Sequence, residues 1–528
     1  MQQYKVDNAI ILAAGFGSRF VPLTYETPKG LLEVKGKPML ERQIEQVIEK
    51  GIEEIIIVVG YMKEKFDYLI DKYNVKLVYN REFSTKNNLA SLYCVRDYLK
   101  NSYILVADNW IEKNMFNTYE TRSWFSCPYM EGDTAEWCVS KSDENDRIKE
   151  ITIGGKDSYV ILGPAFFTKD FSDTFKPLLE EYYKDIKAAD YYWEHILLKH
   201  LDKLPIYINK QQGNILEFEN LEELRMYDKS YENDTKCLIM EYISEIFNVT
   251  QDKIRDIEPL KAGVTNFSFL FSVSDIRYVF RLPGIGTDKL INRFNEKSVY
   301  EVIKPLKISD EIVDFNAENG IKITKFYENS HIADPYNDDH LSKSMKHLFK
   351  LHEENYSIEQ RFDIENMINY YYTLAKEANA IRFSDVQEVL VKVKELHNIR
   401  EQLAVPEILC HGDFAHTNVL LLEDGSTKII DWEYSGAADP IMDVSMYSIY
   451  AEFDRERIDL ALKLYLGRSP NKTEQARLYL YVALGGFLWC MWSQYKQGLG
   501  QEFGEYPLKM YRYMKDFYKI LKDEKLLS

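Results

Sequence analysis

The sequence has few cysteines, fewer basic than acidic residues, and no long apolar run. Its six cysteines among 528 residues are scattered and form no CxxC pair, which disfavours a zinc ribbon or a disulfide framework and fits a reducing compartment. Acidic side chains outnumber basic ones by 84 to 66, a net charge of −18. This balance disfavours partners held through phosphate backbones or anionic lipid, so we expect small-molecule partners and no nucleic-acid binding.

The apolar segments are also too short for a membrane protein. The longest, residues 478–492, falls below the roughly 18 to 20 residues that a membrane-spanning helix needs, and we interpret it as a buried helix. Residues 9–14 are not followed by the cleavage pattern of a secretory signal. We therefore expect a cytoplasmic protein without membrane insertion. The length predicts about two to four domains.

Short apolar runs alternate with helical patterns up to residue 108. Strands are predicted at 9–12, 55–59, 76–79 and 103–107, with helices at 39–50, 63–72 and 89–99 between them. This rhythm predicts an α/β domain with a mainly parallel, Rossmann-like sheet covered by helices on both faces. Ligands of such sheets bind beyond the carboxyl ends of the strands, where Gly15 and Asp108 fall.

The chain changes character after a polar segment at residues 226–236, which lacks apolar periodicity. We place the domain boundary there and predict domains at 1–230 and 237–528. Two strands around the turn Ser274 and Asp275 follow, and helical patterns dominate after residue 340. A small β-containing lobe before a larger helical one predicts an α+β, protein-kinase-like second domain.

A glycine-rich turn follows the first predicted strand, in the segment AIILAAGFGSR at residues 9–19. The backbone N–H groups of such turns bind phosphates. The dinucleotide fingerprint GxGxxG fails because Phe20 stands at its third glycine, and a P-loop fails because Gly36 and Lys37 are followed by Pro38. The turn is therefore a phosphate-binding loop of another kind.

The full pattern LAAGxGxRxxPLTxxxPKxLxxVxxKPML resembles the nucleotidyltransferases that activate sugars or alcohol phosphates with a nucleoside triphosphate. The segments KNNLASLY, VADN, KNMF and ADYYWE extend the resemblance, over residues 8–228, to bacterial CTP:phosphocholine cytidylyltransferases. The resemblance implies catalytic roles for Arg19 and Lys29 in neutralising the triphosphate. It also implies a nucleotide loop formed by Leu12, Ala13, Ala14, Gly15 and Gly17.

The same resemblance implies that Asp108 and Asp190 hold Mg²⁺, and hard carboxylate oxygens suit a cation that bridges phosphates. It assigns Trp137, Tyr191 and Glu217 to the choline head. A quaternary ammonium has no hydrogen-bond donor, so aromatic faces and carboxylates must hold it. For contacts to cytosine our candidates are Asn88 and Ser91.

A second motif lies at CHGDFAHTN, residues 410–418, followed by IDWEY at 430–434. Kinase-like enzymes use an Asp at the substrate hydroxyl, an Asn five residues later and a second Asp after a strand. Asp413 is therefore the predicted catalytic base, with Asn418 and Asp431 as Mg²⁺ ligands.

The later segment at residues 439–443 completes a pattern that resembles aminoglycoside and choline phosphotransferases. The resemblance implies that Asp443 braces the catalytic loop. We expect His411 to fix the same loop by hydrogen bonds, as a structural residue and not as a zinc ligand.

The nucleotide end of the second domain is predicted from weaker signals. Gly263 and Asn266 lie in a glycine-poor phosphate-covering segment, and Arg281 stands where protein kinases carry their strand lysine. The resemblance to choline kinases, over about residues 250–510, implies that Arg281 pairs with Glu296 of a following helix.

The acceptor end of the second domain is predicted from aromatic residues. Trp489 and Trp492 are three positions apart and so share a helix face. Together with Tyr434 they resemble the aromatic wall that binds choline in choline kinases. A stripe of this kind is otherwise typical of a helix core.

These features together predict a bifunctional enzyme. One half would convert choline and ATP to phosphocholine, and the other would convert phosphocholine and CTP to CDP-choline and pyrophosphate with Mg²⁺. Three alternatives stay open at this point: a sugar-1-phosphate nucleotidyltransferase fused to an aminoglycoside-type or sugar kinase, ethanolamine in place of choline, and a catalytically inactive binding half. The complete sets of candidate residues argue against the last.

Overall fold

The computed structural model describes residues 2–211, 213–260, 266–284, 291–501 and 503–526, except for the side chains of Ile186 and Ala188. The backbone divides into two compact units, Met1–Leu260 with Phe269–Asp275, and Lys261–Ser268 with Ile276–Ser528. The helix Leu238–Phe247 belongs to the first unit, where the N–H groups of Leu238 and Ile239 donate to the Glu26 carboxylate at 2.9 Å. The functional boundary between 230 and 237 therefore stays a prediction.

The first unit is built on an eight-stranded sheet whose centre is parallel. The strand Asn8–Ala13 pairs in parallel with Glu54–Val59 on one side and Ser102–Val106 on the other. Its alternate residues enter two different cores, Ile10 in one and Ile11 in the other, because successive side chains of a strand point to opposite faces. This confirms the predicted mainly parallel sheet with both faces covered.

The remaining strands extend that sheet and pair beside it. On one side, Ser102–Val106 is followed in order by Ala165–Phe167, Trp124–Ser142 and Ile148–Tyr159. The strand Tyr207–Gln211 pairs in parallel with Trp124–Ser142. On the other side, Glu54–Val59 pairs with Lys76–Tyr79. Shorter strands of the unit are Tyr4–Lys5, Glu33–Val34, Lys37–Pro38, Asn109–Ile111, Tyr119–Glu120, Ile215–Glu217 and Arg255–Pro259.

The helices of the first unit are shorter than their sequence patterns predict. The predicted helix 63–72 consists of the 3₁₀ segment Lys63–Phe66 and the α-helix Tyr68–Tyr73, and the predicted helix 89–99 stops at Cys94. Val95 has φ −115° and leaves the helical region, as a β-branched residue does readily. The other α-helices are Leu23–Glu26, Met39–Ile48, Lys169–Lys184, His195–His200 and Leu221–Tyr227.

The second unit combines a small antiparallel sheet with long helices. The strand Ile276–Pro283 pairs with Lys322–Lys325, which pairs in turn with Ile312–Phe315. The strand Asn266–Val273 is divided between the two units. The remaining strands are His331–Ile332, Ile408–Cys410, Val419–Leu421, Thr427–Ile429 and Gly436–Ala438, and the helices are Arg293–Ile303, Asp338–Glu353, Ile364–Glu377, Val386–Gln402, Ile441–Tyr450, Arg455–Leu466, Lys472–Gly498 and Tyr506–Asp523.

The apolar run at 478–492 is a buried helix, as predicted. It lies inside the helix Lys472–Gly498, which begins with a capping box between Asn471 and Glu474, and its residues are buried. A helix surrounded by other helices can be apolar on every face. Among the helices of the described residues, none is both long and apolar enough to cross a membrane.

Candidate active sites

A cavity of about 740 Å³ lies at the carboxyl ends of the parallel strands in the first unit. The predicted residues that line it are Leu12, Ala13, Ala14, Gly15, Gly17, Arg19, Lys29, Asn88, Ser91, Asp108, Trp137 and Glu217. Residues spread over two hundred positions of the chain therefore meet at one site. Asp190 and Tyr191 do not line it.

The glycine-rich loop packs against the lysine of the motif. Gly17 has φ 67°, and a Cβ built on it would lie 2.9 Å from the Cβ of Lys29. Lys29 Nζ donates to Asp108 Oδ2 at 2.7 Å, with side-chain exposures of 13% and 28%. Arg19 is 65% exposed at the rim and pairs with Glu219. The site thus places cations beside the loop whose N–H groups can bind phosphate.

The two acids predicted to bind Mg²⁺ lie in different surroundings. Asp108 follows the strand Ser102–Val106 and offers hard oxygen atoms to the cavity, a donor type that fits Mg²⁺. Asp190 ends the exposed 3₁₀ segment Ile186–Asp190, and its backbone oxygen lies 3.4 Å from Asn87 Nδ2. A role for Asp190 as a ligand therefore stays a prediction.

Aromatic rings and carboxylates also line the cavity. The rings of Trp137 and Tyr192 lie 6.3 Å apart at 86°, and Glu136, Glu194 and Glu217 line the same cavity. We call these five residues the acidic wall.

Tyr191, the residue predicted for this wall, instead stacks on His195 at 4.7 Å and lies 6.3 Å from Tyr182. The sequence analysis missed Tyr192. The pair of adjacent tyrosines was the available signal, but it does not show which ring faces the ligand.

The acidic wall carries carboxyl groups with raised pKa values. Burial raises the pKa of Glu217 to about 7, the charge of Asp108 adds to the rise, and Lys29 opposes it. Burial also raises the pKa of Glu194 to about 7, and a hydrogen bond from Asn88 opposes this rise. Glu194 Oε2 is buried and, within the described part of the chain, has no hydrogen-bond partner. A bound cation would compensate these groups.

In the second unit, Asp443 holds the loop around Asp413 through hydrogen bonds to the loop backbone. Asp443 accepts the backbone N–H groups of His411 at 2.7 Å and of Gly412 at 2.9 Å. His411 Nε2 lies 3.0 Å from the carbonyl oxygen of Ile430. These contacts are of the kind that bracing roles for Asp443 and His411 require, and they fix the backbone immediately before Asp413.

Asp413 itself is a half-buried acid without a basic partner among the described residues. Tyr450 donates a short hydrogen bond to its Oδ1, and Asn418 Nδ2 lies 3.4 Å from its Oδ2. Burial raises the pKa of Asp413 to about 8, the Tyr450 hydrogen bond opposes the rise, and Asp431 and Glu433 add to it. The carboxylate of Asp431 and the amide oxygen of Asn418 are donors that suit Mg²⁺.

A buried network of charges surrounds Arg281 and Glu296, the ion pair predicted at the nucleotide end of the second domain. Arg281 Nη1 lies 2.7 Å from Glu296 Oε1 and 3.5 Å from Asp431 Oδ1. Lys322, the cross-strand partner of Arg281, reaches Glu296 at 3.2 Å, and Arg293 reaches it at 2.8 Å. Burial alone would raise the pKa of Glu296, yet these three cations hold it well below its ordinary value. Lys322 and Arg293 were missed because no local motif contains them.

The remaining predicted residue pair of that end is described only in part. Gly263 lies outside the described residues. Asn266 Nδ2 donates to Glu433 Oε2 at 3.1 Å, and Glu433 also lies 2.9 Å from Arg293 Nη1. Asn266 is thus tied to the acidic segment that follows Asp431.

The predicted aromatic wall of the second unit is assembled around Trp489. Its ring centroid lies 6.3 Å from that of Tyr434, 5.4 Å from that of Tyr450 and 5.9 Å from that of Trp492. Trp489 and Trp492 share a helix face as their spacing predicts, and Tyr450 is an addition that the sequence analysis missed. We call these four residues the aromatic wall.

A second cavity, of about 310 Å³, adjoins Glu433 and Tyr434 and is lined by Phe362, Tyr370 and Tyr371 among others. Free volume therefore lies beside the aromatic wall.

Family models match both halves of the chain. Residues 8–147 match the model described as nucleotidyl transferase, and residues 257–476 match the model described as choline/ethanolamine kinase. The first match contains Lys29, Asp108 and Trp137 of the cavity in the first unit, and the second contains the Asp413 loop. Both families are enzymes, and enzymes of both generally use Mg²⁺.

Curated relatives give the same division. The first half is 38% identical over 227 residues to a choline-phosphate cytidylyltransferase of Streptococcus pneumoniae, covering 43% of this chain and 99% of the relative. It is 34% identical over 229 residues to a 2-aminoethylphosphonate cytidylyltransferase of Lancefieldella rimae, covering 42% and 93%. The second half is 28% identical over 264 residues to protein LicA of Haemophilus influenzae, covering 47% and 95%. The chain therefore belongs to the nucleotidyltransferase family through its first half and carries a choline/ethanolamine kinase domain in its second.

Proposed function

We propose that the chain phosphorylates choline with ATP and then couples the phosphocholine to CTP, releasing CDP-choline and pyrophosphate. The observation that carries this proposal is the cavity of the first unit. It brings Lys29, a glycine-rich loop and the acidic wall together in one space. A ligand with a phosphate and a cationic head matches both sets of residues. The kinase domain on the same chain supplies such a ligand from choline.

In the phosphorylation step, Asp413 accepts the hydrogen bond of the choline hydroxyl and orients its oxygen towards the γ-phosphate of ATP. Arg281, held by Glu296 at 2.7 Å, faces the nucleotide phosphates. Asn418 and Asp431 would hold Mg²⁺, which when bound neutralises charge on the transferred phosphoryl group. The aromatic wall would take the trimethylammonium group on its ring faces.

In the transfer step, a phosphate oxygen of phosphocholine attacks the α-phosphorus of CTP. A phosphate monoester with its second pKa near 6 is already a dianion at pH 7, so no general base is needed. Lys29 and Arg19 neutralise the developing charge and the glycine-rich loop orients the triphosphate. Asp108 would contribute to Mg²⁺ binding, with Asp190 as the proposed second ligand. Asn88 and Ser91, both lining the cavity, are our candidates for the cytosine.

We assign the transfer step to residues 1–230 and the phosphorylation step to residues 237–528. Both steps use small, water-soluble substrates, which supports a cytoplasmic location.

Phosphorus NMR tests the proposal directly. Purified protein with choline, ATP, CTP and Mg²⁺ is expected to form phosphocholine first and CDP-choline with pyrophosphate afterwards. Chelation by EDTA should stop both steps. Phosphocholine without CDP-choline would refute the proposed transfer substrate, and no choline product at all would favour the sugar or aminoglycoside alternative.

A further inference from the structure

The acidic wall of the first unit contains more acceptor than a quaternary ammonium can use. Glu136, Glu194 and Glu217 line the cavity together with Trp137 and Tyr192. A trimethylammonium group has no N–H. It interacts with ring faces and with negative charge, but it donates no hydrogen bond. A buried acceptor without a donor is costly, and native structures rarely retain one without a reason.

Glu194 is the residue that shows this excess. Its Oε2 is buried and has no hydrogen-bond partner among the residues that the structure describes. Its backbone is fixed, because its carbonyl oxygen accepts the N–H of Leu197 at 2.9 Å and it follows the buried Trp193, whose ring stacks on Phe125 at 5.5 Å. A carboxylate held in place at a cavity, with an oxygen lacking a donor, is suited to a ligand that brings an N–H.

The aromatic wall of the second unit differs in this respect. Trp489 is surrounded by the rings of Tyr434, Tyr450 and Trp492, and the hydroxyl of Tyr450 already donates to Asp413. Within the described residues of this wall, no buried oxygen lacks a hydrogen-bond partner. Ring faces favour a methylated ammonium, and the nearby carboxylates already have partners, Asp413 in Tyr450 and Glu433 in Asn266 and Arg293.

We propose that the transferase cavity also accepts phosphate monoesters with a primary ammonium, whose N–H donates to Glu194, whereas the kinase half selects the quaternary ammonium. This inference rests on the cytidylyl transfer proposed above. The ammonium nitrogen of phosphoethanolamine is separated from phosphorus by the same O–C–C chain as in phosphocholine, so it reaches the same wall.

The chemistry of the step is unchanged with the new substrate. A phosphate oxygen forms the new bond to the α-phosphorus of CTP, the α–β anhydride bond breaks, and pyrophosphate leaves with the bonding electrons. No proton transfer is required because the monoester reacts as a dianion. Specificity therefore depends on the cationic end alone.

The test compares kcat/KM for pyrophosphate release from CTP with added phosphocholine and with added phosphoethanolamine. We expect the full-length protein to use both, and Glu194→Gln to lower the value for phosphoethanolamine about tenfold more than that for phosphocholine. The matched control is Glu144→Gln, an exposed glutamate outside the cavity lining, which should leave the ratio of the two values unchanged. Stabilisation of each variant by CTP in thermal unfolding confirms a folded cavity.

Several results would overturn the inference. CDP-choline formation without any CDP-ethanolamine would do so, as would an equal loss with both substrates in Glu194→Gln. Release of no pyrophosphate with either substrate would instead refute the proposed transfer reaction. In the kinase assay, we expect choline to exceed ethanolamine in kcat/KM by about tenfold or more, and equal values would remove the contrast between the halves.

Discussion

The two halves of the chain hold the carboxylates of their candidate sites in opposite ways. Asp108 of the first half is paired with Lys29 at 2.7 Å, so its charge is compensated before any ligand binds. Asp413 of the second half is half-buried, accepts hydrogen bonds from Tyr450 and Asn418, and has a pKa raised to about 8. The first arrangement suits charge neutralisation on a polyphosphate, and the second suits a group that receives a proton.

The loops of the two candidate sites are also held in place in different ways. In the first half, a loop after a strand takes its shape from glycines, and Lys29 packs directly against it. In the second half, the loop is held by a buried carboxylate, Asp443, that accepts two backbone N–H groups. Either device orders a loop before its substrate arrives, and preordering is what lowers the barrier of a transfer that needs little covalent help.

Removing Asp413, the proposed catalytic base, should give the largest effect and tests whether the halves act separately. We expect Asp413→Ala to lower choline phosphorylation by about 10³-fold, because no other described group occupies its place on the loop. CDP-choline formation from added phosphocholine should remain close to wild type. Phosphorus NMR with each substrate pair measures both activities in one sample.

The control for this variant is Asp424→Ala, since Asp424 is an exposed acid whose contacts are local, to Ser426. Loss of both activities in a folded Asp413→Ala protein would contradict the division into two sites.

Removing Lys29, the cation that pairs with Asp108, should impair the transfer step and spare the phosphorylation step. We expect Lys29→Ala to lower cytidylyl transfer by about 10²-fold or more, because Asp108 loses its partner and the triphosphate loses a neutralising charge. Choline phosphorylation should be unaffected. Pyrophosphate release measures the transfer step, and Lys141→Ala, at a side chain that is 74% exposed, serves as the control. A transfer rate equal to that of the control variant would show that Lys29 is not part of the site.

Much of both sites could be predicted from the sequence because their loops are contiguous. The segments at 9–19 and 410–418 each contain the glycines, cations or acids that the chemistry needs, at fixed spacing. The parallel sheet was predictable too, since its strands are continuous apolar runs.

What could not be predicted depends on side-chain direction or on distant partners. The choice of Tyr192 over Tyr191 depends on packing, because Tyr191 lies against Tyr182 and His195 whereas Tyr192 lies beside Trp137. Lys322 and Tyr450 reach the kinase site through strand register and helix packing. No local pattern contains that information.

Disturbing the loop without removing a charge sharpens the comparison of scaffolds. We expect Gly17→Ala to lower cytidylyl transfer by about tenfold, because its Cβ would lie 2.9 Å from the Cβ of Lys29 and must displace it. The matched control is Gly36→Ala, where φ is 79° but a Cβ meets nothing within 4 Å. That control carries the same backbone strain, of about 1 kcal/mol, without the collision. Equal activities in the two variants would show that strain alone explains the effect.

The smallest expected effect is the pH dependence of the acidic wall, measured as the KM for phosphocholine at saturating CTP and Mg²⁺. Burial raises the pKa of both Glu217 and Glu194 to about 7, so these groups are neutral below that pH and anionic above it. Because only the anionic forms attract the trimethylammonium group, KM should fall about threefold between pH 6 and pH 8. Ionisation of the substrate phosphate also lowers KM as the pH rises. The Glu217→Gln variant keeps this contribution of the substrate but loses the contribution of the Glu217 carboxyl group. A pH profile of Glu217→Gln identical to that of the wild type would show that the ionisation of Glu217 has no part in binding the head group.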